Sequence, residues 1–424
     1  MATRPRPGAK GERDMATTAP RSRRYEIIVL LLLTLANGVV AFDRLTVAYL
    51  SPYIVADMGV SNADLGLLAA ALSLAVAVSS YLGGQLADRT GKRKLILLVC
   101  TILFSIGSGA GGLAGTLGVL LMARFLLGIA EGPMVPVSQT VMAETSAPER
   151  RGVAMGFMQM VGAFGIAGVL GPVVATQLAD DYGWRHTLLL SLVPGLVLAL
   201  LLWIFLQRDP PRPAAADRPK VGIGAAMVQL VAIPNMRVSL AIAGMMTAWL
   251  VLQNTFLAVF LTELKGLAPA TAGSVIAMGG IAGITGGIGL PFLSDRIGRK
   301  PVMIGASLAG IACPLALLVL PGDPTLLAAA VLLGWLPIGV APLYCATVPT
   351  ESVPPMLATS AVGLSMGFAE FFGGVVLPPI AGSVADQFGL QAVFYICIAL
   401  ALGAAAVTLL LKETAPRITG ARGA

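Results

Sequence analysis

The sequence predicts an all-α polytopic membrane protein, with twelve transmembrane helices in two pseudo-symmetric six-helix bundles. Composition, the spacing of apolar segments and an internal repeat carry that prediction. Of 424 residues, 57% are hydrophobic and 12% charged, where a water-exposed globular chain carries roughly 25% charged residues. Apolar stretches of roughly 20 residues recur along the chain, each long enough to cross about 30 Å of hydrocarbon as a helix. Backbone groups in lipid must bond internally, and the weak alternation of a membrane barrel is absent, so the spans are helices. The 50 Gly and 28 Pro fit membrane helices, where both residues are more frequent than in soluble ones.

The first six spans fall at 26–50, 63–87, 95–115, 117–143, 152–178 and 184–206. The second six fall at 237–262, 270–294, 301–320, 325–349, 356–385 and 390–411. The bundles are thus 26–206 and 237–412. Residues 207–236 read as a cytoplasmic linker with Pro210, Pro211, Pro213 and Pro219, closing in an amphipathic stretch from about 221. Residues 1–25 read as a disordered cytoplasmic tail and 413–424 as a second tail. The first span is too long for the apolar region of a cleaved signal, and Met15 is an alternative start.

The net charge of +7 comes from topology. If the N-terminus is cytoplasmic, 24 of the 28 Lys and Arg lie on that side, Arg185 and Lys265 lie outside, and Arg44 and Arg124 lie within spans. This is the positive-inside bias, and it calls for no nucleic acid. It places both termini in the cytoplasm; the expectation is a multi-pass protein of the plasma membrane, a bacterial inner membrane, that works as a monomer. Cys100, Cys313, Cys345 and Cys397 all fall in spans without CxxC or metal spacing, so they read as small buried hydrophobes. No GxxxxGK[ST] occurs, so an ion gradient is the expected energy source. The expectation is a carrier, neither enzyme nor cofactor protein, whose partners are solute, protons and the lipid bilayer.

The repeat joins the two halves. Gly84-Gln-Leu-Ala-Asp88-Arg89-Thr-Gly91-Lys92-Arg93-Lys94 links the second and third spans. Pro291-Phe-Leu-Ser-Asp295-Arg296-Ile-Gly298-Arg299-Lys300 links the eighth and ninth, and 295 − 88 = 207. Glu144 and Glu351 keep the same offset, and Gly183 to Gly389 is 206. One register across several spans marks a duplicated six-helix unit. Gly84 and Gly91 permit close approach and a tight turn, Asp88 can cap and pair, and the basic run anchors one membrane face. Pro291 stands where the first Gly is usual and is expected to bend the end of the eighth span. The first loop resembles the signature loop of the major facilitator superfamily. That resemblance implies a latch between halves in the outward-open state, formed here by Gly84, Asp88, Arg89, Gly91, Arg93, Asp295, Arg296 and Gly298.

Ionisable residues inside spans are costly unless paired or facing water, so they mark function. Asp43 and Arg44 are adjacent in the first span, Arg124 and Glu131 share the fourth, and Glu370 lies in the eleventh. Positions 124 and 131 are two turns apart and point the same way. At about 1.5 Å per residue, Asp43, Arg44 and Arg124 share the outer half of the membrane and Glu131 sits near its middle. Two acids and two bases could therefore form one compensated cluster. Either Arg can bind a carboxylate in bidentate fashion, and a carboxylate that loses its partner can take a proton, which would couple anion binding to protonation. A static Asp43–Arg124 bridge is the bland alternative.

FDRLTVAYLSPYI (42–54), RFLLGIAEGPMVP (124–136) and APERRGVAMG (147–156) resemble the anion:cation symporter family of galactonate-, hexuronate- and sialic-acid-type transporters. The resemblance implies that Asp43 and Glu131 carry protons while Arg44 and Arg124 contact the anion or gate its release. In the second half Glu370 stands alone as a buried charge, open to three readings: a ligand, a further proton site, or a helix–helix bond. Gln253, Asn254 and Tyr344 could line the substrate site beside it, with Trp249 and Ser365 nearby and Asn37 and Gln159 opposite. His186 reads as surface. The expected function is proton-coupled symport of a small organic anion, a sugar acid or similar monocarboxylate. The competing reading is a drug/proton antiporter, from the partial glycine signature GVLGP (168–172); a non-transporting sensor would need a relay domain that the sequence does not show.

Overall fold

The computed structural model describes residues 23–147, 150–207, 223–354 and 357–419. Twelve helices are long and apolar enough to span a membrane. In the first half they are α1 (Arg23–Tyr49), α2 (Asn62–Ala87), α3 (Arg93–Gly111), α4 (Leu117–Thr145), α5 (Arg151–Tyr182) and α6 (Trp184–Phe205). In the second they are α7 (Pro234–Leu264), α8 (Pro269–Ile297), α9 (Arg299–Val319), α10 (Pro324–Ser352), α11 (Ser360–Phe388) and α12 (Gln391–Thr408). Among the described residues there is no strand. Each predicted span matches one helix to within a few residues. Residues 208–222, half of the linker, and the N-terminal tail to residue 22 lie outside the described residues, whereas Ile223–Ala232 forms a short helix before α7.

Local chemistry sets the boundaries. Ser61 and Asp64 form a reciprocal capping box at the start of α2, Thr116 caps α4 and Asp323 caps α10, each satisfying orphan N–H donors. Gly91 ends α2 at φ 64° and Gly298 ends α8 at φ 109°, left-handed turns that favour glycine. Helix α8 continues through Pro291 to Ile297.

The repeat is visible in its ion pairs. Arg93 pairs with Glu144 and Arg299 with Glu351, both on the face carrying the termini. Lys94 donates to the Trp203 carbonyl at 2.7 Å and Lys300 to the Leu409 carbonyl at 2.7 Å. These loop cations bond within their own halves. Arg89 is exposed, Arg296 lies over the Phe292 ring at 4.3 Å, and Asp295 pairs with Arg299; the Asp88 side chain lies outside the described set.

The halves meet on the opposite face. Asp386 of α11 accepts from the Asn62 and Ala63 backbone N–H groups at 2.9 and 3.0 Å. A Cβ added to Gly66 would fall 2.3 Å from the Pro378 carbonyl oxygen, and one on Gly280 would fall 2.4 Å from the Gly168 carbonyl carbon. Towards the terminal face, Gly84, Gly152, Gly156, Gly289, Gly363 and Gly367 have open space instead. The buried core divides the same way. One cluster joins Tyr49, Leu65 and Leu68 to the second half, while the terminal-face part of the first half, from Tyr25 to Leu206, has a core of its own. On the closed face Arg185 and Trp184 bond Asp57 and hold its carboxyl below the usual carboxylate range.

Candidate substrate cavity

Between the halves lies a cavity of about 340 Å³ lined from α1, α2, α4 and α5 on one side and α7, α8, α10 and α11 on the other. Such a volume sits at the small end of the roughly 300–1,000 Å³ typical of small-molecule sites. Of the residues expected to form the site, Asn37, Arg44, Gln159, Asn254 and Glu370 line it. Asp43, Arg124, Glu131, Gln253 and Tyr344 do not.

The helical rotation of about 100° per residue explains the split between neighbours. Arg44 faces the cavity, whereas Asp43 turns into the first bundle, 1% exposed, where the Ser108 hydroxyl donates to its Oδ1 at 3.0 Å. Ser108 in turn lies 2.6 Å from the Ser191 hydroxyl. Asp43 Oδ2 has no hydrogen-bond partner. Gln253 likewise turns into the core of the second half, where its Oε1 accepts from Trp335 Nε1 at 3.0 Å, while Asn254 beside it reaches the cavity. Tyr344 is buried at 4% exposure. Ser365 Oγ is buried without a partner, and His186 is exposed.

The anticipated four-residue charge cluster has a different arrangement. Arg124 donates to the backbone carbonyls of Asp43 and Arg44, at 3.1 and 2.6 Å, so its guanidinium is engaged with the backbone of α1 and not with a side-chain acid. Neither oxygen of Glu131 has a hydrogen-bond partner, and the residue is 3% exposed, within electrostatic reach of Arg44, Arg124 and Glu370. Gly128 and Gly132 beside it bring α4 against α2: added Cβ atoms would meet the Leu72 carbonyl at 2.6 Å and Ser79 Oγ at 2.0 Å.

Arg44 pairs instead across the cavity with Glu370, 326 residues away. Among the described residues it is the one cation lining the cavity. Both side chains of this pair keep contact with the open space, at 34% and 24% exposure, so a solute can reach them. Glu370 closes the regular α-helical part of α11, and residues 371–376 widen into a π-helical turn, a distortion often found at functional sites. At Gly374 an added Cβ would fall 2.6 Å from Ser73 Oγ and 3.1 Å from Glu370 Oε1, so the glycine keeps this side of α11 clear for the carboxylate.

The sequence reading missed the aromatic wall of Tyr49, Phe164 and Trp335. A signal existed in the run Gly279-Gly280-Ile-Ala-Gly283 of α8. Added Cβ atoms at Gly279 and Gly283 would fall 2.4 and 2.1 Å from the Trp335 and Phe164 rings, so these glycines seat both aromatics.

Comparison with known proteins agrees with this architecture. A putative niacin/nicotinamide transporter, NiaP, of Bacillus subtilis is 26% identical over 88% of this chain and 93% of its own length. A hexuronate transporter of the same organism is 26% identical over 85% and 88%. The multidrug export protein EmrB of Haemophilus influenzae is 32% identical over 46% of this chain and 38% of its own. The crystal structure of a point mutant of a nucleoside transporter, NupG, superposes with a TM-score of 0.77 at 16% identity, covering 92% of this chain and all of the other, which establishes the shared fold. The model of the Major Facilitator Superfamily matches residues 33–369 and 291–424. Twelve spans around a central cavity and a family match over nearly the whole length make this chain a multi-pass membrane transporter belonging to the Major Facilitator Superfamily.

Proposed function

We propose that the chain carries a small organic anion by alternating access, driven by co-transported protons. The observation that carries this reading is the Arg44–Glu370 pair: the cavity's guanidinium already holds a carboxylate, and that carboxylate belongs to the other half. An entering carboxylate, from a sugar acid or a similar monocarboxylate, competes for the same planar fork of donors. Glu370, once displaced, is a carboxylate facing low-dielectric surroundings without its counter-ion, and protonation removes that cost. Asp43 and Glu131, buried with carboxylate oxygens that lack hydrogen-bond partners, are the further proton sites of this reading. Of the two relatives described above that match over most of their length, one is named for hexuronate, an acid, which supports an anionic solute, and the other for niacin/nicotinamide, an acid and its neutral amide.

The basic loops of Arg93 and Arg299 lie on the face that carries the termini, and the positive-inside rule assigns that face to the cytoplasm of a bacterial inner membrane. The cavity closed on the opposite side then opens inward. The protein works as a monomer, with no cofactor beyond the proton gradient. Proteoliposomes under an imposed pH gradient test the reading. External acidity should drive accumulation of a carboxylate, and Asp43→Asn or Glu131→Gln should abolish gradient-driven uptake while sparing exchange. Full gradient-driven uptake in both variants would remove the protonation assignment.

A second reading, drug efflux against protons, is favoured by the likeness to the multidrug export protein EmrB over 46% of the chain. The same vesicles separate the two, because antiport accumulates solute when the interior is acidic.

A further inference from the structure

Within the anion reading, on which this inference rests, the cavity wall indicates the shape of the carried acid. We propose that the site selects a monocarboxylate with a flat apolar body, an aromatic carboxylate, over a polyhydroxylated sugar acid. Three observations converge on this choice.

The first is where the polar ends of the wall point. The Tyr49 hydroxyl donates to the Ala167 carbonyl at 3.1 Å, and Trp335 Nε1 donates to Gln253 at 3.0 Å. Both rings therefore line the cavity with their hydrogen-bonding atoms turned into the protein. The hydroxyls of Ser51 and Thr255 likewise donate to the carbonyls of Ala48 and Val251. The Asn37 amide donates to the Met158 carbonyl at 3.2 Å and to Gln159 at 3.1 Å.

The second is what remains. Beside the ion pair, the polar side chains left to meet a solute are Ser73, Thr247, Asn254 and the amide N–H groups of Gln159, whose oxygen is taken by Asn37. A sugar acid brings several hydroxyls, and each one buried without a partner opposes binding. An aromatic ring brings none, and stacks on Trp335 and Phe164.

The third is the seating of those rings. Gly279 and Gly283 of α8 leave no room for a side chain beneath Trp335 and Phe164, so the two rings sit directly on helix backbone. A wall built this way recognises a face and an edge better than a set of hydroxyls. Arg44 supplies the fixed anchor at one end of the cavity, and the aromatic body lies along α8.

Calorimetry on the purified full-length protein tests this with four probes: benzoate, glucuronate, benzamide and benzylamine. The proposal expects benzoate to bind at least about tenfold more tightly than each of the other three. It also expects Trp335→Leu and Phe164→Leu each to weaken benzoate by about tenfold or more while moving glucuronate little. The unmodified protein decides the ranking even if a variant fails to fold. Glucuronate binding more tightly than benzoate, with both lost in Arg44→Gln, would overturn the apolar-body selection and leave the anion reading standing. Benzamide or benzylamine matching benzoate, with Arg44→Gln unchanged, would overturn the anion reading and this inference with it.

Discussion

At the scale of the residue, the site turns on two neighbours with opposite duties. Asp43 is sealed among serines inside one bundle, and Arg44 reaches through the cavity to the other half. Arg44→Ala should therefore lower anion affinity by about 100-fold, the loss of a charged bidentate contact of roughly 2–3 kcal/mol. Arg44→Lys should recover only part of it, because an ammonium lacks the planar fork; equilibrium binding of benzoate or glucuronate checks both. Arg124→Ala acts by another route, freeing the backbone carbonyls at 43 and 44, and should impair turnover more than affinity. The sequence made these ionisable residues legible, because a charge inside a membrane span announces itself. Their partners were not legible: pairing Arg44 with Glu370 needs the relative placement of two bundles, and no local pattern encodes that. For the same reason Gln253 and Asn254 look alike in sequence while one supports a tryptophan and the other reaches the cavity.

At the scale of the element, glycines set how closely the halves approach. Helices α5 and α8 cross at Gly168 and Gly280, where an added Cβ would overlap the opposing backbone. Gly280→Val should part them on the closed face, at about 1–3 kcal/mol of overpacking, enough to shift a two-state equilibrium measurably. Spin labels at the exposed positions Gln177 and Ser274 should report a longer or broader distance in the variant.

The start of α9 has no side-chain cap of its own, and Glu413 serves instead. Its carboxylate accepts from the backbone N–H groups of Arg299 and Lys300 at 2.8 and 3.0 Å, and from those of Thr414 and Ala415. Burial opposes its charge, but these four donors hold it below the usual carboxylate range. A depressed pKa adds stability that is complete above the unfolded value and disappears as pH falls through the folded one. Glu413→Gln should therefore destabilise the protein by about 1 kcal/mol at neutral pH, a typical cap. The difference from the parent should vanish in acid, as thermal unfolding in detergent can follow. The sequence marked residues 413–424 only as a tail, since a cap supplied from 114 residues away leaves no local trace.

At the scale of the whole molecule, the duplication was the most legible feature. The offset of 207 between Asp88 and Asp295 became matched anchors, with Lys94 on Trp203 and Lys300 on Leu409 at an offset of 206. The resemblance implies a latch between halves in the outward-open state; in this conformation, closed on the far face, the loop cations bond within each half and contact between halves lies on that far face. The apolar pattern fixes which segments span, because burying about 20 residues in lipid tolerates few charges. It does not say which face closes, because both arrangements bury similar surfaces.

The cross-half pair bears on how the empty protein resets. Arg44 with Glu370 sums to zero charge, and so does Arg44 holding a substrate carboxylate beside a protonated Glu370. Under the proposed coupling, the empty and the loaded forms of this site would both be electrically neutral, and the form carrying substrate without its proton would not. Moving a net charge through the membrane field costs about 2.3 kcal/mol per 100 mV, so under that coupling the neutral forms would reorient more readily than the half-loaded one. Glu370→Gln leaves the empty site with an uncompensated positive charge. Its return step should then respond to membrane voltage where the parent's does not, and counterflow measured with and without an imposed potential would show whether a single carboxylate keeps the carrier from slipping.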